Sequence, residues 1–291
     1  MTGHWLRLIE RLDPETDHQR IYRLSIGYEF PWDYQRALEF ALFRTYCVPS
    51  ISALLESTGE FKRRPQKRYD DTALLMAEIA ENGYDSARGK EALRVINRVH
   101  ACYTISNADM LYVLSTFVYD PIDWIETYGR RPLHPNERAA AFHYFREVGR
   151  RMGIRDVPTT FEEFRRFKRE YEREHFVYCE TNHKVGTYTV DLMCSWFPRP
   201  LRPFVSLGVR SLLDERMRTA FGFRAAPAWV SGAAKAALRT RARVTGLLPE
   251  RRNSAMVHDP GNRTYPGYPN GYAIRDMGPE AHAGSAHTGS A

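Results

Sequence analysis

Arg68 and Thr72 stand four positions apart in the run RYDDT. Four residues are about one helical turn, so the two side chains share a face. His100 follows 28 residues after Thr72, in RVINRVHA. With Leu93, Ile96 and Tyr103 it forms an inner stripe spaced 3, 4 and 3 residues. A guanidinium binds a carboxylate through two parallel hydrogen bonds. A hydroxyl can face a small oxygen ligand, and a neutral imidazole can bind a metal. Each residue alone has a plainer reading: a core histidine, a surface arginine, an ordinary helix threonine. Their joint placement is what points to chemistry.

Other chemistries lack their residues. The chain has no GxGxxG, Walker loop, GxSxG or HExxH. His134 and His143 are nine apart, and His175 and His183 eight apart, unlike the i, i+4 pair that chelates a metal on a helix. Cys47, Cys102, Cys179 and Cys194 are scattered and form no CxxC pair, so buried reduced thiols are expected. The net charge of +7 comes from 42 basic and 35 acidic residues and is mixed along most of the chain. The densest basic run, Lys62, Arg63, Arg64, Lys67 and Arg68, reads as a solvated helix start, and no nucleic-acid partner is expected. No run reaches the ~18 apolar residues that a membrane span needs. The N-terminal MTGHWLRLIERLDPETD lacks the apolar core of a signal peptide. A cytoplasmic location is expected, with peripheral membrane contact left open.

The elements that must carry these residues are helical throughout. Apolar periodicity predicts a helix over Asp33 to Tyr46 and a short one from Ser50 to Leu55. After the turn TGEF and a basic loop, a helix spans Tyr69 to Glu81. Asn82-Gly83 stops it, because both residues tolerate positive φ. The next runs from Ser86 to Tyr103 and presents His100. Ser106 with Asp109 and Thr160 with Glu163 read as capping boxes. The first opens a helix that ends near Asp120, where Pro121 starts another closed by Gly129. Further helices are expected over Pro135 to Met152, Thr160 to Val177, Asn182 to Phe197, Leu201 to Phe221 and Ala226 to Thr245. No alternating strand or βαβ rhythm is present. The expectation is one all-α domain over residues 1–250. Residues 251–291 read as an irregular, disordered tail, most plainly from about residue 277 in GPEAHAGSAHTGSA.

Several runs make the chain resemble the MpaB-type oxygenase family, which is related to rubber oxygenase (latex clearing protein). They are YEFPWDYQRALEFALFRTYCVPSISALLESTGEF, RYDDTALLM, RVINRVHACYTISNADMLYVLSTFVYDPIDWIETYGRRPLHPNE and ETNHKV. The likeness covers about residues 20–200 and continues more weakly to about 250. The phrase from Ile105 to Leu133 is its most specific part. The resemblance implies an all-α domain holding a b-type haem. Carried over residue by residue, His100 is the axial iron ligand, and Arg68 and Thr72 belong to the haem pocket, where they also set polarity near the reacting oxygen. Dioxygen is the implied co-substrate. An apolar, possibly isoprenoid, substrate is implied, cleaved at a carbon–carbon double bond to carbonyl products.

The sequence departs from rubber oxygenase in two places. The lysine that can close the distal iron position there is Asp71 here, a poor haem ligand. A carboxylate base is also used there, and Glu56 and Glu60 lie in the corresponding stretch without a matching motif. Fungal members carry a membrane anchor that has no equivalent in this sequence. The dense aromatics Trp32, Tyr34, Trp124 and Tyr128 are expected to pack the core, or to line an apolar tunnel. Two other functions stay open: a non-enzymatic haem or apolar-ligand binder, and a haem enzyme that hydroxylates instead of cleaving.

Overall fold

A computed structural model describes residues 3–257 and 265–279. The described residues form fourteen α-helices and no strand. In chain order they are α1 (His4–Glu10), α2 (His18–Leu24), α3 (Pro31–Thr45), α4 (Pro49–Thr58), α5 (Glu60–Arg63), α6 (Pro65–Asn82) and α7 (Ala87–Ala101). There follow α8 (Asn107–Tyr128), α9 (Pro135–Arg151), α10 (Phe161–His175), α11 (Glu180–Ser195), α12 (Arg202–Leu212), α13 (Glu215–Phe221) and α14 (Ala228–Gly246). The all-α expectation holds.

The hairpin of α6 and α7 sets the geometry that matters most. Pro65 opens α6, where its missing N–H is no loss. Gly83 ends it at φ +83°, donating its N–H to the Ile79 carbonyl. Ser86 restarts the chain by accepting from the Gly89 N–H. The turn is tight: a Cβ on Gly89 would lie 2.0 Å from the Gly83 carbonyl oxygen. Because α7 returns along α6, the start of one helix lies beside the end of the other. Arg68 and Thr72 therefore come level with His100, which accounts for their wide spacing in sequence.

Around this hairpin, α3 packs along α8, while α8 packs on α9 and α10. Their interface buries Phe30, Tyr34, Leu114, Val118, Tyr119, Ile122, Trp124 and Phe145. Full burial of such a side chain contributes roughly 1.5–3 kcal/mol. Tyr34 and Trp124 are core residues, and Trp32 and Tyr128 pack against them. A charged knot ties four helices together at the back of the core. Arg44 of α3 contacts Asp120, Glu172 and Asp214 at 3.4, 3.3 and 2.6 Å, and Lys168 joins Asp120 and Glu172 at 2.8 and 2.6 Å.

The structure departs from the sequence reading in several places. The basic loop before Tyr69 is helical, forming α5 and the first turn of α6. Helix α8 runs unbroken through Pro121. Proline costs the helix one hydrogen bond there, and the buried Val118, Ile122 and Ile125 hold the turns on either side. The helix expected from Leu201 to Phe221 splits at Asp214, whose carboxylate caps α13 through the Met217 N–H. At Ser106 and Thr160 only the cap hydroxyls bond as expected; the full capping box forms instead at His134 with Glu137. All four cysteines are free, but only Cys47 and Cys194 are buried, and Cys102 is exposed.

Part of the stretch read as a tail lies among the described residues. Residues 251–257 and 265–279 lie across the helices as a strap. Met256, Ile274 and Met277 are buried in the main core. The Tyr272 hydroxyl donates to Glu78 of α6 at 2.7 Å, the Tyr268 hydroxyl donates to Asp71, and the Gly267 N–H donates to Asp70 at 2.7 Å. Lys67 donates to the Gly278 carbonyl at 2.7 Å. Average composition hid this because three apolar anchors suffice when polar neighbours dock on helix carboxylates. The end of the tail, with His282 and His287, lies outside the described residues. Truncation before residue 265 should lower the thermal midpoint by roughly 5–10 °C, since two buried apolar anchors and three tyrosines leave the core. A melting curve checks this, and an unchanged midpoint would show that the strap contributes nothing to stability.

Candidate functional site

Arg68 lies half-buried at the start of α6, and its Nη1 donates to the Thr72 hydroxyl. Its guanidinium also sits 5.7 Å from the centre of the Phe61 ring. Among the described residues no carboxylate reaches Arg68, although Arg64 and Lys67 beside it are paired with Glu60 and Asp71. A partly buried cation without a counter-ion is costly. It is the arrangement expected where an anionic group from outside the chain completes the site.

His100 faces that cation from α7. Burial, aided by the nearby Arg68 charge, lowers its pKa from 6.5 to about 4. The imidazole is therefore neutral at physiological pH. Its Nδ1 is buried and has no hydrogen-bond partner among the described residues. Tyr46 completes the surroundings; burial pushes its hydroxyl up to about 12, with Arg68 pulling it back. The three predicted residues thus converge, as a neutral imidazole, an unpaired guanidinium and a hydroxyl bonded to it.

Thr72 connects this corner to open space. It lines a cavity of about 340 Å³ and a smaller one of about 40 Å³, and Arg68 lines the smaller. The larger is walled mainly by Ile26, Leu38, Leu42, Met76, Phe117 and Tyr144, with Tyr265 and Pro266 of the strap. His100 lines neither cavity. Glu39, Leu42, Tyr69, Thr72 and Trp196 border both.

Glu39 is the residue that sequence reasoning missed. It is almost fully buried, at 7% exposure. Arg36 Nη2 contacts its Oε1 at 2.6 Å, and the Tyr69 hydroxyl donates to the same oxygen. Burial still dominates and raises its pKa from 4.5 to about 7. A carboxylate poised there can accept or return a proton at neutral pH. Its signal was a lone acid inside the apolar run ALEFALF. By contrast, Glu60 is neutralised by Arg64 and Arg63, and neither Glu56 nor Glu60 borders a cavity. Asp71 turns to Lys67 and Tyr268 and away from both cavities. It therefore anchors the strap and is not placed to gate the site.

Comparison with known proteins gives the family. Residues 40–247 match the family described as ER-bound oxygenase mpaB/B'/Rubber oxygenase, catalytic domain. An all-α oxygenase domain is thus the class that fold and match define, and the chain belongs to that family. It is 30% identical over 231 residues to the ER-bound oxygenase mpaB of Penicillium roqueforti (strain FM164), covering 72% of this chain and 78% of the relative. It is 27% identical to the ER-bound oxygenase mpaB' of Penicillium brevicompactum, over 89% of this chain and 76% of that one. The ER-bound oxygenase mpaB of Penicillium brevicompactum is 37% identical over 132 residues. No single helix among the described residues is long and apolar enough to cross a membrane.

Protonation gives one test of the site. A depressed histidine pKa means that the stability from keeping His100 neutral is whole above pH 6.5 and is lost as pH falls through about 4. In protein with no ligand added, the His100 ring signal in NMR should titrate near 4, and Arg68→Ala should move it upward. A midpoint near 6.5 in the unaltered chain would show that the ring is solvated.

Proposed function

We propose that this oxygenase is haem b-dependent and cleaves a carbon–carbon double bond in an apolar, isoprenoid-type chain. The observation that carries this reading is the half-buried, neutral His100, whose buried Nδ1 has no partner among the described residues, beside an Arg68 that no carboxylate among them reaches. An imidazole and an anion-seeking guanidinium are the residue types that hold a haem, one for the iron and one for a propionate. When bound, the haem would supply the activation of dioxygen.

The chain's own residues would do the rest. His100 would ligate the metal, and Arg68 would hold a carboxylate. Thr72, bonded to Arg68 and open to the cavity, would carry a hydroxyl to the boundary between cofactor and substrate. The walls Leu38, Leu42, Met76 and Phe117 would exclude water and align an apolar chain. Glu39 would take a proton on its other carboxylate oxygen, Oε2, or return it, with Tyr69 and Arg36 holding Oε1 in position. The same pocket would serve a hydroxylation, so the products decide: carbonyl fragments for cleavage, an alcohol for hydroxylation.

Three outcomes are expected. The purified chain should contain about one haem b by pyridine-haemochrome assay and should consume dioxygen with a polyprenyl substrate, giving carbonyl products. A folded, colourless protein that haemin cannot reconstitute would end the proposal. Arg68→Ala should lower haem retention more than Thr72→Ala, because a charge-assisted bond is worth roughly 1.5–3 kcal/mol against roughly 1 for a neutral one; equal haem content in both variants contradicts it. Glu39→Gln should keep the haem and lower turnover roughly a hundredfold or more, the usual size of a lost acid–base group. Unchanged turnover would remove Glu39 from the mechanism.

A further inference from the structure

The chain's positive charge is concentrated. Residues 199–248 hold ten arginines and lysines against two acids, Asp214 and Glu215. The remaining residues carry 32 basic and 33 acidic side chains, so this stretch supplies the whole net charge. Six of the ten cations lie in α12 and α14. Only Ser211 of α12 and only Val230 and Ala242 of α14 are buried, although the two helices pack on each other.

The uncovered surface is apolar as well as basic. Leu201, Phe204 and Leu207 are 48%, 69% and 39% exposed, and their spacing of three places them along one side of α12. Trp229 is 73% exposed at the start of α14, and Leu247 and Leu248 are 86% and 60% exposed at its end. Lys235, Arg239 and Arg243 are exposed between them, and α14 contains no acid. An isolated exposed leucine needs no explanation, but this many large apolar side chains on one helical layer do.

We propose that the α12–α14 layer docks on the surface of an anionic lipid bilayer. Exposed aromatic and aliphatic side chains interleaved with arginine and lysine are the composition that buries in a headgroup region. A second copy of the chain fits poorly, because a two-fold contact would press like charges together. Nucleic acid would leave Phe204, Leu247 and Leu248 unburied. The layer also adjoins the cavity. Trp196, which borders both cavities, directly precedes Phe197 and the turn into α12. Arg241 of α14 lies 3.8 Å over the Trp32 ring and donates to Asp33 at 2.8 Å, next to Pro31 and Arg36 of the cavity wall. An apolar substrate dissolved in the bilayer would then have a short path to the cavity. That benefit rests on the proposed apolar substrate, whereas docking itself does not.

The test uses the full chain and phosphatidylcholine vesicles with or without phosphatidylserine, with no substrate present. Co-sedimentation should require phosphatidylserine and weaken with salt. The triple variant Lys235→Gln, Arg239→Gln, Arg243→Gln should bind roughly a hundredfold less tightly, at about fivefold per lost cation. Phe204→Ser with Trp229→Ser should weaken binding while the thermal midpoint stays unchanged, since both side chains are exposed. Haem content should be unaltered in every variant, which separates a failure of docking from a failure of the haem reading. Equal binding to both kinds of vesicle, no binding to either, or a concentration-dependent dimer abolished by Phe204→Ser would overturn the proposal.

Discussion

The structure turns on one guanidinium held in a largely apolar corner, with no carboxylate reaching it among the described residues. Among the described residues the Arg68 guanidinium meets the Thr72 hydroxyl and the Phe61 ring. Its neighbours on α6 show that pairing was available: Arg64 and Lys67 both find acids within four residues. Leaving Arg68 unpaired preserves a strong, directed demand for an anion. Burial keeps His100 neutral, and the same charge adds to the effect.

The surrounding fold holds that arrangement in place. The tight turn at Gly83 brings the start of α6 level with the end of α7. The strap clamps α6 through Asp70, Asp71 and Glu78, and its residues Tyr265 and Pro266 close one wall of the cavity. On the inner side Thr72, Ala73 and Met76 face the cavity. Helix α6 therefore has one face for structure and one for chemistry, with Arg68 where the two meet.

Much of this was legible in the sequence because it depends on local rules. Asn82-Gly83 and Ser86 announce the hairpin, and the apolar stripe through His100 announces which face turns inward. The motif around Arg68 and Thr72 then suggests the chemistry proposed above. What escaped depends on contacts far apart in the chain. The role of Glu39 arises only when α3 meets Tyr69 of α6 and Trp196 after α11. The strap escaped because its anchors Met256, Ile274 and Met277 are too widely spaced to form a period. Pro121 misled because a proline that usually marks a helix start is tolerated inside a helix whose neighbouring turns are buried.

The account's central claim is that His100 is the side chain that holds the cofactor's metal. The most direct measurement is chemical rescue of His100→Gly. The variant should lose the Soret band on purification with haemin, and added imidazole should restore the band and dioxygen consumption by entering the vacated space. A wild-type spectrum in His100→Gly without imidazole would contradict the account and place the ligand elsewhere.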